Sequence, residues 1–222
     1  MKYLFIVFLI PFVVKGQIKE NDSLKLDTSN PIIFGEMLMG VGSSENFGFV
    51  LGASLNYQRQ KHLYTIRYTG FDALELSKIK SGSISHLLIF PAYVDVEKIN
   101  EYSFLYGRRH IYDNVSFSYS SGIGIAYRQE RQYIEDLDKY SDWISETNFG
   151  IPIELNIKWF KSRKQRLQIP YGLIPVGNKK IAFGRSIGFK LFGHISKNSY
   201  VGLGLTWGFG IHKDYSEVEE NP

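Results

Sequence analysis

The sequence predicts an all-β protein: a closed up-and-down antiparallel transmembrane β-barrel of about 8 strands, with 10 strands as the alternative. Three observations support this prediction. A short apolar leader is not followed by a second apolar run long enough for a spanning helix. Side chains alternate with period two from residue 33 almost to residue 212. One face of each segment is large and apolar, while the other is small or polar. Because lipid cannot satisfy an open sheet edge, strands that cross it must close into a barrel.

The first segment of the chain is interpreted as a signal peptide. Lys2 precedes an apolar run from Tyr3 to Val14, and Gly16 is a suitable small residue before a cut at Gln17. The run is too short for a spanning helix, and it contains Pro11. The predicted organisation is a signal peptide (1–16), an N-terminal periplasmic segment (17–32), an outer-membrane barrel (33–215) and a C-terminal tail (216–222).

The residues on the small face of each strand distinguish two architectures. In Val115 to Tyr127, one face is Val, Phe, Tyr, Ser, Ile, Ile and Tyr, and the other is Ser, Ser, Ser, Gly, Gly and Ala. A water-facing strand would carry Lys, Glu and Thr, since Gly weakens a strand. Small residues suit the narrow lumen of a barrel of about 8 strands, whose apolar face then meets lipid. A soluble secreted sandwich or lipocalin-like barrel is the alternative.

The apolar faces are about six or seven residues long and end at Tyr or Trp, which predicts aromatic girdles at the two membrane edges. The girdle residues are Tyr57, Tyr127, Trp159 and Trp207. The predicted strands are 33–42, 47–59, 62–71, 101–109, 115–128, 147–159, 181–195 and 199–212.

The predicted connections give the barrel an orientation, because periplasmic turns are short and external loops are longer. The second connection (60–61) and the fourth (110–114) are short, whereas 72–100 and 129–146 are long. The sixth connection, Phe160 to Lys180, is long although it should be periplasmic. Two apolar runs inside connections, 84–96 and 167–175, would raise the strand number to ten. Eight is preferred, because only those strands alternate cleanly.

Composition excludes several classes of function. The net charge of +4 falls to about +2 once Lys2 and Lys15 leave with the leader. Basic residues are scattered apart from the cluster Lys161, Arg163, Lys164 and Arg166, so no nucleic-acid partner is expected. The absence of cysteine excludes disulfides and thiolate sites. The five histidines show no metal spacing, and no metal or cofactor is expected.

Four stretches carry a family resemblance. Glu101 to Arg108, Ser118 to Gly124, Phe149 to Glu154 and the Gly-rich final hairpin to Gly210 resemble small outer-membrane β-barrel proteins of Gram-negative bacteria. The resemblance covers roughly 33 to 212 and implies an eight-stranded barrel in a family whose members mostly have no assigned function. It also implies the barrel-assembly machinery as a partner. Family members often end on an aromatic residue, a signal that Trp207 to Ile211 would supply here.

His194 and Ser196 form the one candidate catalytic pair. Two residues apart on a strand, they share a face, so an activated hydroxyl is conceivable. The pair is similar to the His-x-Ser pair of outer-membrane lipid A deacylases. The sequence shows no carboxylate to orient His194, and Ser-Lys-Asn-Ser is ordinary turn chemistry. No catalytic site is therefore predicted.

Four charged residues fall mid-strand on the polar faces: Glu36, Arg67, Glu154 and Lys190. A charge-paired plug in the lumen is the preferred interpretation over a paired-carboxylate enzyme, because a buried charge without a partner is costly. A separate acidic run, Glu135, Asp136, Asp138 and Asp142, is interpreted as a solvated external loop.

The function expected from these observations is that of an exported outer-membrane barrel with a filled lumen. Its role would be structural, or binding and adhesion through the loops. The expected partners are outer-membrane lipid and lipopolysaccharide, the barrel-assembly machinery and an unnamed extracellular ligand. A lipid-modifying enzyme of the deacylase type and a soluble secreted binding protein are the two alternatives.

Overall fold

Eight strands close into a barrel in the computed structural model, which describes residues 31–76, 93–137, 139–163, 165–168 and 175–214. Each strand pairs antiparallel with the next, and the first pairs with the last, as in Phe34 opposite Gly210. The predicted closed up-and-down barrel of eight strands is therefore confirmed. The strands are β1 (Ile32–Ser43), β2 (Phe47–Arg59), β3 (His62–Leu76), β4 (Tyr93–Tyr112), β5 (Val115–Glu130), β6 (Ile144–Phe160), β7 (Phe183–Ile195) and β8 (Tyr200–Ile211).

The two ends of the barrel differ in their connections. At the end where β1 begins and β8 ends, called here the terminal end, two-residue turns join β2 to β3 and β4 to β5. Gln60 (φ 56°) and Asp113 (φ 47°) supply the left-handed backbone that these tight turns use. At the opposite end, called the loop end, Ser43 is linked to Phe47 and Ile195 to Tyr200 by short turns, and the other two connections are longer.

The central hairpin is longer than the alternation predicts. β3 continues to Leu76 instead of residue 71, and β4 runs from Tyr93 to Tyr112 instead of from 101 to 109. The reason is a register shift: Ala73 pairs with Glu97, but Leu74 pairs with Asp95. Such a bulge inserts an extra residue and breaks the period-two pattern, so the strands predicted from that pattern are too short at this end of the hairpin. The fourth connection accordingly shrinks from five residues to two.

Neither extra apolar run adds a strand to the ring, so the ten-stranded alternative is wrong. Residues 93–96 of the first run belong to β4, and 84–92 lie outside the described residues. In the second run, 165–168 pairs with 175–181 in a separate two-stranded sheet at the terminal end. The fifth connection holds a small hairpin, 133–134 with 139–140, and one 3-10 turn, Glu135–Leu137.

The distribution of side chains is inverted relative to a water-soluble protein. On the outer wall, Ile123 is 74% exposed and Phe149 is 78% exposed. On the inner wall, Arg67 and Lys190 are only 2% and 1% exposed. The large apolar face of every barrel strand therefore points outward and the small polar face points into the lumen, as the sequence predicted.

Glycine lets the first and last strands approach closely at the seam that closes the ring. Gly40 of β1 lies opposite Gly204 of β8, with both facing the lumen. A Cβ added to Gly40 would lie 2.5 Å from the Gly204 Cα, which a real side chain could not occupy. The seam therefore requires residues without side chains at this level of the narrow lumen.

Candidate functional site

Six charged side chains meet in the middle of the lumen and are called here the central charge cluster. They come from β1, β3, β4, β6 and β7, and each is less than a tenth exposed. Each occupies one of the alternating positions of its strand that face the lumen, and in a closed ring these positions point towards the barrel axis. The members are Glu36, Arg67, Glu101, Glu154, Lys158 and Lys190.

Glu154 lies at the centre of this cluster. Its carboxylate is 3.2 Å from Arg67 Nη1 through one oxygen and 3.2 Å from Lys190 Nζ through the other. Lys190 Nζ also lies 2.9 Å from Glu36 Oε2. The structure thus brings together the four residues that the sequence singled out. β3 and β7, which carry Arg67 and Lys190, stand on opposite sides of the ring, so their charges meet across the lumen.

Two members of the cluster were not identified from the sequence. Glu101 Oε1 accepts a hydrogen bond from Arg67 Nη2 at 2.7 Å, and Lys158 Nζ contacts the Glu36 carboxylate. Glu101 was missed because the predicted strand began at residue 101, which made it an edge position. Lys158 has the same parity as Glu154, and that shared parity was the signal that could have found it.

The central charge cluster is balanced. Three carboxylates face three cations, and each carboxylate contacts at least one cation. Charges removed from water are tolerated only when they are paired and their remaining donors and acceptors are satisfied. The arrangement therefore pairs these buried charges with one another in the middle of the lumen.

A second layer of inward-facing side chains lies in the lumen at the terminal end. The Arg109 guanidinium lies 4.7 Å from the Phe34 ring centroid and 5.4 Å from that of Phe160. It donates hydrogen bonds to Gln58 Oε1 and to the His212 carbonyl, both at 2.9 Å. Ring faces and hydrogen-bond acceptors both stabilise a buried cation, so these contacts contribute to holding Arg109 at this level of the lumen.

A third, apolar layer separates the central charge cluster from the loop end. Its members are buried hydrophobic residues of β1 to β5, β7 and β8: Leu38, Val50, Phe71, Ala73, Val96, Ile99, Ala126, Phe192 and Tyr200. Beyond this layer, Glu97 accepts a hydrogen bond of 2.6 Å from Arg128 Nε and another from Ser44. The described residues thus place charged and apolar side chains in alternating layers along the lumen.

The catalytic candidates His194 and Ser196 occupy different environments. His194 is 1% exposed, with its ring between Gly124 and Gly150, and its Nδ1 lies 3.3 Å from Glu101 Oε2. A carboxylate thus lies beside His194, although Nδ1 makes no hydrogen bond to it among the described residues. The sequence did not reveal this neighbour because Glu101 is distant in sequence and meets His194 only across the ring.

The hydroxyl that a nucleophile would need is engaged elsewhere. Ser196 Oγ donates to the Asn198 carbonyl at 3.1 Å, and the Ser196 amide donates to Ser199 Oγ at 3.1 Å. These bonds close the turn between β7 and β8, as the Ser-Lys-Asn-Ser sequence suggests. Among the described residues, His194 Nε2 has no hydrogen-bond partner, so no bond joins it to Ser196.

The predicted girdle residues face outward at both ends of the barrel. Tyr57, Trp159 and Trp207 lie in the half of their strands nearer the terminal end, whereas Tyr127 lies near the loop end of β5. All four are between 39% and 40% exposed. Amphipathic rings at this position suit the boundary between hydrocarbon and water.

No group of three or more His, Cys, Asp or Glu residues in the described part of the chain could hold a metal ion. Over the same part of the chain, no helix is long and apolar enough to cross a membrane.

The site and fold together describe an eight-stranded barrel with a charged interior and an apolar exterior. Solved structures similar in fold include neisserial surface protein A, with 9% identity, TM-score 0.46 and coverage of 82% of this chain and 96% of the other. A second is Ail, the attachment invasion locus protein of Yersinia pestis, with 9% identity, TM-score 0.44 and coverage of 82% of this chain and 97% of the other. A third is the N-terminal barrel domain of Pseudomonas aeruginosa OprF, with 11% identity, TM-score 0.42 and coverage of 82% of this chain and 99% of the other. No protein-family model and no curated protein match the sequence.

Proposed function

We propose that this chain is an exported outer-membrane protein whose eight strands cross the bilayer around a filled, non-conducting lumen. Its role would be structural, or binding and adhesion through the connections at the loop end. The observation that carries this proposal is the inverted distribution of side chains, with an apolar outer wall around a buried charge cluster. Soluble monomers rarely expose apolar patches beyond a few hundred Å², which disfavours a soluble secreted binding protein.

The filled lumen is supported by its three layers. A barrel of eight strands has an interior just wide enough for side chains to fill. Here Arg67, Lys158 and Lys190 occupy its middle with Glu36, Glu101 and Glu154. Apolar and aromatic side chains lie on both sides of them. With its interior occupied, the barrel would act through the surface that its connections present.

The loop end supplies the surface for a binding role. The described part of the fifth connection is exposed and acidic at Glu135, Asp136 and Asp142, while Asp138 lies outside the described residues. Loops on a rigid barrel are the usual carriers of recognition. Outer-membrane lipid and lipopolysaccharide would surround the wall, and the barrel-assembly machinery would insert it.

Membrane extraction tests the location directly. Membranes from cells that express the full chain are washed with sodium carbonate at high pH, and the protein is followed by immunoblot. A barrel that crosses the bilayer stays in the pellet, because its apolar wall would otherwise meet water. Release into the wash would overturn the proposal and support the soluble alternative.

The lipid-modifying enzyme is less well supported than a barrel without catalysis. Glu101 could orient His194, but His194 is enclosed in the lumen and Ser196 is bonded within its turn. Fatty-acid release from lipopolysaccharide should be the same for the wild type and for the His194→Ala and Ser196→Ala variants. Release that both substitutions abolish would establish the enzyme instead.

A further inference from the structure

A row of basic side chains follows the outer wall at the terminal end. Arg59 of β2 pairs with His62 of β3, and His62 pairs with Arg108 of β4, so the three lie side by side on neighbouring strands. All three have the outward parity, and Arg59 and Arg108 are exposed. Two strand spacings separate Arg59 from Arg108, which is about 10 Å. Lys61, exposed in the turn between β2 and β3, adds a fourth basic group.

A row of tyrosines lies beside these residues, one outward-facing position further along each strand towards the middle of the barrel. Tyr57, Tyr64 and Tyr106 pair across the same three strands, with ring centroids 6.2 Å and 5.3 Å apart. The Tyr106 hydroxyl lies 2.6 Å from His62 Nδ1. When Tyr106 donates this bond, His62 Nε2 carries the proton and becomes a donor. The next row is apolar, with Leu55, Ile66 and Phe104 in register.

A groove in the outer wall begins beside this double row. It has a volume of about 540 Å³, and it extends from Arg108 and Tyr106 on β4 past Ser121 to Leu191 and Val201 on β7 and β8. Ser121 deepens the groove because a small side chain stands among large ones on the outward face. Apart from Arg108 at one end and Ser121 in the middle, its outward walls are aliphatic and aromatic, which suits a hydrocarbon chain and not a polar ligand.

We propose that this face is a binding site for one phospholipid with an anionic headgroup, in the leaflet that surrounds the terminal end. The inference rests on the proposed membrane location. Arg59, His62 and Arg108 would hold the phosphate, the three tyrosines would lie at the glycerol level, and the groove would take an acyl chain. The basic row supplies the charge complementarity for the phosphate. Because the adjoining groove is apolar, a lipid fits both features, whereas free phosphate fits only the basic row.

Lipid exchange tests the headgroup contacts. The full-length protein is reconstituted in vesicles of phosphatidylcholine and phosphatidylglycerol in equal parts, floated, extracted in mild detergent and examined by native mass spectrometry. The wild type should retain phosphatidylglycerol in preference to phosphatidylcholine. The double variant Arg59→Gln/Arg108→Gln should bind it about 30-fold more weakly. Lys98→Gln/Lys139→Gln, which removes the same charge at the loop end, is the matched control and should leave retention unchanged.

The groove is tested separately. Ser121→Phe should fill it and weaken retention of long-chain phosphatidylglycerol, while the preference for the anionic headgroup over phosphatidylcholine persists. Equal retention by the arginine variant and the wild type overturns the lipid site. If Ser121→Phe leaves the retention of long-chain phosphatidylglycerol unaltered, the groove does not bind an acyl chain and that part of the proposal is overturned. Protein that fails to float with the vesicles contradicts the membrane location itself, so the two failures are distinguishable.

Discussion

At the scale of single residues, Glu154 is the carboxylate that two cations of the central charge cluster share. One carboxylate oxygen faces Arg67 and the other faces Lys190. Arg67 also bonds to Glu101, and Lys190 also contacts Glu36, so removing Glu154 leaves each cation with one partner. The six charges therefore act as a network, and their free energies should not add as independent pairs.

This network gives a prediction for stability. Glu154→Gln should lower the free energy of unfolding, with about 3–5 kcal/mol as the upper range for breaking a buried pair. A second substitution, Lys190→Met, should recover part of the loss, because it removes the cation left in excess. The measurement is urea unfolding of the refolded protein in lipid vesicles. Glu45→Gln, at a carboxylate whose side chain is 75% exposed, is the control and should change little.

Strict additivity of Glu154→Gln and Lys190→Met would contradict the coupling, provided that Arg67→Met also shows no coupling to Glu154→Gln. The lumen would then be held by groups other than these charges.

Sequence reasoning reached only part of this network. Parity alone identified Glu36, Arg67, Glu154 and Lys190, because each falls mid-strand among small residues. It could not give the partners, since Glu154 and Arg67 are 87 residues apart in sequence. Which side chains meet across a ring depends on how the strands are staggered, and a single-strand pattern does not contain that information.

At the scale of elements, β5 shows most simply how a strand separates two environments. Ile123 is exposed on the outer wall, whereas Gly124, one residue later, faces the His194 ring. A Cβ on Gly124 would lie 3.2 Å from His194 Cε1. Adjacent residues of one strand therefore meet opposite constraints: the first must be apolar and the second must be small.

Substitutions at these neighbours should fail for different reasons. Ile123→Arg places a charge on the lipid face, at a cost of about 2–4 kcal/mol near the bilayer midplane. Gly124→Leu overfills the lumen against His194 and costs about 1–3 kcal/mol. Folding yield in vesicles, followed by the heat-dependent gel shift of folded barrels, measures both. Ile123→Leu serves as the control for the outer wall.

The lipid dependence separates the two effects. Ile123→Arg should fold better in detergent micelles than in bilayers, whereas Gly124→Leu should be impaired in both. If Ile123→Arg folds normally in bilayers, the assignment of the faces is reversed.

Strand ends were the least predictable elements. The alternation found six of the eight strands to within three residues at each end, but it ended β3 five residues early and began β4 eight residues late. The bulge at Ala73 and Leu74 explains this error, because one extra residue exchanges the two faces beyond it.

At the scale of the whole molecule, the connections define which end faces outward. The two-residue turns after Arg59 and Tyr112 lie at the terminal end with the separate hairpin that pairs 165–168 with 175–181. The strands joined by residues 77–92 and by residues 131–143 meet those connections at the loop end. Short turns belong on the periplasmic side, so the loop end should face the cell exterior.

Protease added to intact cells tests this orientation. Trypsin should cut within 77–92, after Lys78 or Lys80, and within 131–143, because exposed connections are where nicking concentrates. The connection 161–182 should be cut only after the outer membrane is permeabilised. Fragments are identified by mass spectrometry. Cleavage at 161–182 in intact cells, with 77–92 and 131–143 protected, would reverse the topology.

The seam between β1 and β8 also dictates an order of events during biosynthesis. A ribosome makes β1 first and β8 last, so the β1 backbone edge has its final partner only when the last strand has been made. In the proposed bilayer location, any partial ring would until then carry two open edges with unsatisfied amides and carbonyls. Insertion strand by strand is therefore unfavourable, and the chain has to be kept unfolded or its edges shielded until the complete set of strands is available to close at Gly40 and Gly204.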